Sequence, residues 1–520
     1  MRLHSLVQIR RKDFLLATSA GLVLTLCFPP VGLAPIAWVA LIPLLYLASD
    51  NKVSACFTLG WIAGIFHGLT LLYWITYVIH RYGNLPLPVG LIICFLLVAY
   101  LALFPAFFCA GLGWLRQHNL PWLFVAPFLW VSLEVGKARL LTGFPWENLG
   151  YSQYRWLSVI QLADIAGVFG ISFVLVVSNV LLFTLIFHRR LQSKGALRPF
   201  ASLLLIGLIV SVIGYGQWRL VRLETFQSSS FKIGLVQGNI AQETKWDQAF
   251  QQTTVDKYVR LSKKVTEQKP DLIVWPETAT PFYFLADRQN TENLLQALQK
   301  IDSPLLFGSP AFRKTEKQLR LYNRAYLLNR DGMVIGFYDK IHLVPFGEYV
   351  PWKKMLFFVD KLVQAAGDFA SGEQAMVLNL APAKVGVLIC YEAIFPELSR
   401  DLVNAGANLL VNITNDAWFG RSSAPYQHLS MAVLRAVENH VPMARCANTG
   451  ISGFIDIRGR ILQTTALFQE ATLVGRLELG VGKTLYTRYG DWFAWSCLGI
   501  TLLVFTYSMI RSGTTKESGS

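Results

Sequence analysis

The pattern of apolar and polar positions divides the chain into two kinds of sequence. Long apolar runs recur at 14–28, 31–48, 53–79, 86–114, 121–134, 167–187 and 200–217, and once more at 493–510. A helix that crosses a bilayer needs about 20 apolar residues, with a working range of about 17–25. The pattern therefore predicts a seven-span membrane domain in residues 1–220, in which the first and fifth runs are short, and a final span over 492–511. Between them the period changes. In residues 231–480, FKIGLVQGNI, DLIVWPE, SPLLFGSP, LYNRAYLLN, MVIGFYDK, AKVGVLICYE, NLLVNITND, MARCANT and ISGFIDIRG read as strands. TTVDKYVRLSKKVTEQ, TENLLQALQKI, FPELSRDLVNAG and PYQHLSMAVLRAVENH read as helices. Many strands with interleaved helices predict an α/β sandwich around buried sheets. The fold class expected is a multi-pass α-helical membrane domain plus an α/β extramembrane domain.

Composition agrees. The chain is 53% hydrophobic and 15% charged, with a mean hydropathy of +0.41; soluble domains carry about 25% charged residues. The net charge of +15 could serve nucleic acid, but in so apolar a chain basic loops facing anionic lipid account for it better. Arg2, Arg10, Arg11 and Lys12 place the N-terminus in the cytoplasm, as does the basic loop HRRLQSKGALRP at 188–199 for its own position. Residues 231–480 then lie on the far side, and the last span returns Arg511 and Lys516 to the inside. The first run ends in FPP and passes straight into another, without a small-residue cleavage site, so it reads as an uncleaved span. The segment 135–166 is too polar to cross. It is expected at the outer membrane surface, where Phe144, Trp146, Tyr151, Tyr154 and Trp156 suit either an interfacial belt or an ordinary anchored loop. The spans show almost no charge, which argues against transport. The tail SGTTKESGS is expected to be disordered.

Cysteine usage narrows the chemistry. Five of the seven cysteines lie in apolar segments; only Cys390 and Cys446 lie in the more polar region. No CxxC or Cys/His ligand spacing indicates a disulfide framework or a metal site, and no Gly-rich loop indicates a phosphate cofactor. Three strands, however, each end on a reactive side chain: DLIVWPE on Glu277, MVIGFYDK on Lys340 and VGVLIC on Cys390. A cysteine attacks as its thiolate, and an ordinary thiol pKa of about 8.5 leaves little of it at neutral pH. A carboxylate can take the proton, and an ammonium can steady the thiolate and the oxyanion formed after attack. Each residue taken singly has a bland reading: a turn cap, a solvated charge, a packed thiol. His342, two residues beyond Lys340, offers a rival base, and Arg435 with Glu438 reads as a structural ion pair on the helix that carries His428.

WPET at 275–278, YDKIHLVPFGEYVP at 338–351 and CYEAIFPE at 390–397 resemble the three active-site motifs of the nitrilase superfamily, in the order Glu, Lys, Cys. With seven spans before that domain and one after it, nearly the whole chain resembles the bacterial apolipoprotein N-acyltransferases. The resemblance implies a nitrilase-like αββα sandwich, with Glu277 as base, Lys340 as transition-state stabiliser and Cys390 as nucleophile. It implies supporting roles for Glu348 as a second carboxylate, for Tyr391 and Glu392 after the nucleophile, for Trp246 near the acyl site, for the loop NDAWFG with Trp418, and for Asn448. The stretch around Asn448 reads CANTGIS, with Thr449 where the family pattern has a second asparagine. The resemblance further implies a phospholipid acyl donor, a diacylated apolipoprotein acceptor, no cofactor or metal, no nucleic acid, and a site in the bacterial inner membrane with the catalytic domain on the periplasmic side. Two alternatives remain: a membrane-tethered amidase that uses water as acyl acceptor, and a transporter or receptor whose extramembrane domain only binds.

Overall fold

The computed structural model describes residues 9–189, 197–225, 229–314, 319–350, 369–480 and 482–517. Arg2, the basic stretch 190–196, Pro351 and residues 518–520 of the tail lie outside them. The chain forms two compact units: one of Met1–Thr76, Pro88–Arg219 and Asp491–Ser520, the other of Tyr77–Leu87 and Leu220–Gly490.

The first unit is helical. By length and composition, five stretches among the described residues are apolar enough to cross a membrane: Val53–Leu71, Leu87–Gln117, Ala163–Phe187, Pro199–Glu224 and Trp492–Arg511. The runs at 14–28 and 121–134 contribute the helices Arg11–Thr25 and Trp122–Arg139, and the run at 31–48 a shorter apolar stretch, Ala34–Asp50. Close helix contact is bought with small residues: a Cβ on Gly60 would stand 2.5 Å from the Pro105 carbonyl oxygen.

The polar segment after Trp122–Arg139 differs from the expected surface belt. Trp146, Tyr151 and Tyr154 are buried inside the unit, and of the five aromatics only Trp156 is largely exposed. The reason is backbone satisfaction. Non-helical backbone in an apolar unit must find its hydrogen bonds internally. Here Leu149 N donates to Glu134 Oε1 at 2.7 Å, Gly150 N to Ser172 Oγ at 2.9 Å, and Lys137 Nζ to the Trp146 carbonyl at 3.1 Å. The unit is also less charge-free than its hydropathy implied. Asp13, Glu134 and Asp164 are buried, and Asp164 pairs with Arg219 at 2.6 Å.

Among the described residues the second unit holds twelve strands: β1 (Ser230–Gln237), β2 (Leu272–Val274), β3 (Leu305–Lys314), β4 (Leu319–Leu328), β5 (Val334–Asp339), β6 (Val377–Leu380), β7 (Ala383–Ile389), β8 (Leu409–Thr414), β9 (Met443–Ala447), β10 (Gly453–Ile455), β11 (Ile461–Thr464) and β12 (Ala471–Glu478). They form two six-stranded sheets, ordered β12-β1-β2-β3-β4-β5 and β11-β10-β9-β8-β7-β6. Strands β1, β2 and β3 are parallel, as are β7, β8 and β9; the remaining neighbours are antiparallel. Side chains alternate across each strand. Phe231, Ile233 and Leu235 of β1 and Val385, Val387 and Ile389 of β7 point into one core shared by both sheets. On the other face of the first sheet, Ile273, Leu305 and Phe307 pack against Tyr258, Val259 and Leu294 of the helices Gln248–Thr266 and Arg288–Leu298. Helices Pro396–Asn404 and Ala424–Asn439 cover the second sheet. The result is the αββα sandwich that the resemblance implied.

One buried carboxylate ties the two sheets at the edge where β5 and β7 end. Glu392 is fully buried. Its Oε1 accepts from the Tyr338 hydroxyl at 2.9 Å, Ile341 N at 2.7 Å and His342 N at 3.1 Å, and its Oε2 from Ile389 N at 2.7 Å. Burial raises its pKa to about 7 against the pull of these donors. Glu392→Gln turns one acceptor into a donor facing a backbone N–H. Urea unfolding of the purified variant should show a loss of about 2–3 kcal/mol; an unchanged midpoint would remove Glu392 as the tie.

Candidate active site

Glu277 follows β2 through Trp275 and Pro276. Trp275 is fully buried, stacked on Tyr258 at 5.1 Å, with its indole N–H on Ser262 Oγ at 2.8 Å. That anchor fixes where the strand ends. Gly308 on β3 then lets the Glu277 backbone come close, since a Cβ there would stand 2.4 Å from Thr278 N. The carboxylate is held at both oxygens: Oε1 accepts from Asn323 Nδ2 at 2.7 Å and Oε2 from Asn415 N at 2.9 Å.

Lys340 follows β5. Two antiparallel steps separate β5 from β3, so it runs in the direction of β2 and its end falls at the same edge. The ammonium is buried, 2.9 Å from Glu348 and 3.7 Å from Glu277 Oε1. Asn323 binds both carboxylates, donating to Glu348 Oε1 at 3.0 Å as well as to Glu277. Burial opposes the lysine charge, but Glu348 and then Glu277 outweigh it, and the pKa lies above the ordinary lysine value.

Cys390 follows β7, opening the 3-10 turn Cys390–Ile394 with φ of +55°, a left-handed conformation uncommon outside glycine. Such strain persists where the surroundings enforce it. Here the Cys390 carbonyl accepts from His428 Nε2 at 3.1 Å. A carbonyl only accepts, so Nε2 carries the proton, and Nδ1 takes a hydrogen bond from Arg445 Nη2 at 3.1 Å. Burial, then Arg445, lowers the His428 pKa and keeps the ring neutral. Arg445 also pairs with Asp416 Oδ2 at 2.8 Å and donates to Asn412 Oδ1. Burial works against the Asp416 charge, yet Arg445 above all, with the Thr414 hydroxyl donating to Oδ1 at 2.9 Å, holds its pKa at about 2. The thiol itself is pushed up, first by burial and then by Glu277, while Lys340 and a hydrogen bond with Thr414 draw it down. At neutral pH Cys390 is a thiol within electrostatic reach of a carboxylate and an ammonium.

The other sequence-predicted residues are placed as follows. Glu348 joins the Lys340 ammonium, with Val344 N on its Oε2 at 2.8 Å. Tyr391 is buried edge-on to Phe395 at 5.1 Å, and Glu392 is the tie described above. Asn448 is fully buried and saturated: it bonds both polar groups of the Ile240 backbone at 2.8 and 2.9 Å and donates to Asn415 Oδ1 at 3.0 Å. Trp418 sits in the 3-10 turn Asp416–Phe419, edge-on to Tyr82 at 4.8 Å. Trp246 is 47% exposed. His342 lies with its ring 3.7 Å from that of Phe395, and burial, then Lys340, lowers its pKa to about 4. Cys446 is fully buried with its thiol on the Val236 and Val274 carbonyls.

Sequence reasoning missed Asn323, Lys245 and Arg445, read His428 as a residue of a structural helix, and reached Asn415 and Asp416 only as part of the loop NDAWFG. One signal was available for the first: Asn323 interrupts the apolar strand LYNRAYLL. Among the described residues, no group of three or more His, Cys, Asp or Glu side chains could hold a metal ion.

Comparison with known proteins follows the same division of the chain. Residues 232–485 match the carbon-nitrogen hydrolase family, and residues 20–181 match the apolipoprotein N-acyltransferase N-terminal domain. The chain is 47% identical to the apolipoprotein N-acyltransferase of Geobacter metallireducens, over 98% of each chain. It is 34% identical to that of Methylococcus capsulatus, over 95% of this chain and 96% of the relative. It is 30% identical to that of Chlorobaculum tepidum, over 98% of each. The chain is an enzyme with apolar helices fit for a membrane, and it belongs to the apolipoprotein N-acyltransferase family.

Proposed function

We propose that Cys390 carries an acyl chain as a thioester from a phospholipid to the N-terminal amine of a diacylglyceryl-cysteine apolipoprotein. The donor ester is the sn-1 ester, typically of phosphatidylethanolamine. The observation that carries the reading is the set of three strand ends: Glu277 and Lys340 lie 3.7 Å apart, and Glu392 joins the backbone beside Lys340 to the backbone beside Cys390. In the first step the Glu277 carboxylate takes the thiol proton, and the thiolate attacks the ester carbonyl. Lys340 faces the oxyanion, and Glu277 returns the proton to the departing lysophospholipid alkoxide. In the second step the acceptor amine attacks the thioester, its proton passes to Glu277, and the thiolate leaves and is reprotonated. The product is an amide and a free thiol.

In this reading Glu348 steadies Lys340, Glu392 and Tyr391 fix the turn after the nucleophile, and Asn448 braces Asn415. Trp246 and Trp418 border an apolar path for acyl chains. Residues 1–220 supply seven spans and 492–511 the last, with 231–480 on the periplasmic side of the bacterial inner membrane. Both substrates carry lipid chains, and exposing those to water costs about 0.8 kcal/mol per CH2. That is a physical reason for a nitrilase-like unit to share a chain with membrane helices.

Two experiments test the reading. With phospholipid donor and a diacylated lipopeptide, triacyl product measured by chromatography should be lost in Cys390→Ser. It should fall about 10²–10⁴-fold in Glu277→Gln, the range of general-base removal. Lys340→Arg should fail too, because a planar guanidinium cannot sit where the ammonium does. Cys446→Ser should retain activity. Free fatty acid in place of the triacyl product would instead support the amidase-type use of water.

The second concerns His342. Its folded pKa of about 4 lies below the unfolded value of about 6.5. The unfolded state therefore binds more protons between those values, and stability should fall as pH drops from about 6.5 to 4. His342→Phe should flatten that part of the melting-temperature profile and still form product at neutral pH. Loss of product formation in a folded His342→Phe protein would revive the Cys–His pairing.

A further inference from the structure

Lys245 is the last residue of the helical turn Gln242–Lys245, next to the exposed Trp246. It is only 1% exposed. Buried lysines normally find a carboxylate; among the described residues none lies within ion-pair distance of this ammonium. Instead Lys245 Nζ donates to the Glu277 carbonyl at 3.1 Å and to the Thr278 hydroxyl at 2.5 Å. Those acceptors belong to consecutive residues at one backbone kink. Thr278 has φ of +47°, and for a β-branched residue the left-handed region is a true outlier. The kink stands immediately after Glu277, four residues beyond the end of β2.

The same turn grips Glu277 from its other side. Gln242 Oε1 accepts from Asn415 Nδ2 at 2.7 Å, and Asn415 N donates to Glu277 Oε2 at 2.9 Å. One short helical turn therefore holds the main chain of Glu277 directly and its carboxylate through one intermediary. From this geometry we infer that Lys245 is a positioning residue for acyl transfer, which fixes the kink at Thr278 and so keeps the Glu277 carboxylate aimed at the thiol and at Lys340. The inference rests on the role proposed above for Glu277. Burial lowers the Lys245 pKa to about 8 while the Glu277 carboxylate raises it, so its charge is present at neutral pH.

The test uses the full-length enzyme and single-turnover formation of the acyl-enzyme from phospholipid, without acceptor. Lys245→Met keeps the length of the side chain and removes the charge and the donors. The rate at saturating donor should fall about 10²-fold, the cost of misplacing a catalytic group by about 1 Å. The donor concentration giving half the maximal rate should move less than about threefold, because ground-state binding is not what is lost. Thr278→Val leaves the ammonium and removes one acceptor; it should slow the step about three- to tenfold with the same split, and it serves if Lys245→Met does not fold. Glu277→Gln separates the two levels of the account. If Glu277→Gln is dead and both Lys245→Met and Thr278→Val acylate at the wild-type rate, the positioning role is overturned. If a folded variant loses donor affinity at unchanged maximal rate, Lys245 serves binding and the inference is wrong. If Glu277→Gln itself acylates normally, the base assignment falls and the inference with it.

Discussion

The Glu392 carboxylate is the constraint on which the site depends. The proposed nucleophile and the proposed cation come from different sheets, and sheet packing alone fixes their separation only loosely. Glu392 removes that freedom. It follows Cys390 by two residues, accepts from Ile389 N at the end of β7, and reaches across to Ile341 N and His342 N just beyond Lys340. The backbone on either side of the reacting groups is thereby joined through one buried group. Asn323 does the corresponding work for the carboxylates, since a single amide binds Glu277 and Glu348 together around Lys340.

Electrostatics then follow from burial. Cys390, Lys340 and Glu277 are all nearly inaccessible to water, so their charges act on one another at low dielectric. Two carboxylates keep Lys340 charged, and the thiol stays protonated until a base takes its proton. A thiolate generated on demand is safer for a cysteine that waits between substrates than one that is permanently ionised, because the thiolate is the form that oxidises. The strained φ of Cys390, locked by His428 through its carbonyl, presents the sulfur at the strand end.

Much of this was legible in the sequence, for physical reasons that differ by element. Central strands such as β1, β2, β7 and β8 are continuous apolar runs because both faces are covered. The edge or near-edge strands β6, β11 and β12 were missed, since their exposed sides dilute the alternation. Glu277, Lys340 and Cys390 stood out because each is a reactive residue closing an apolar run. Lys245 did not, because four residues of helix in QETK carry no period, and its burial is a property of the turn at Thr278. His428 looked like a residue on a helix with an ion pair. That pair exists, Arg435 to Glu438 at 2.8 Å, but His428 itself turns toward the Cys390 carbonyl. The aromatic residues of 135–166 suited a membrane belt by composition, and only the hydrogen bonds of their backbone show why Trp146 and Tyr151 go inside.

The most direct measurement is the mass of the purified enzyme after exposure to a phospholipid of defined acyl composition, followed by peptide mapping. The account predicts a gain of one acyl chain on the peptide that contains Cys390, labile to hydroxylamine and discharged when a diacylated lipopeptide with a free N-terminal amine is added. Turnover without an adduct on Cys390, or an adduct on Cys446 instead, would contradict it.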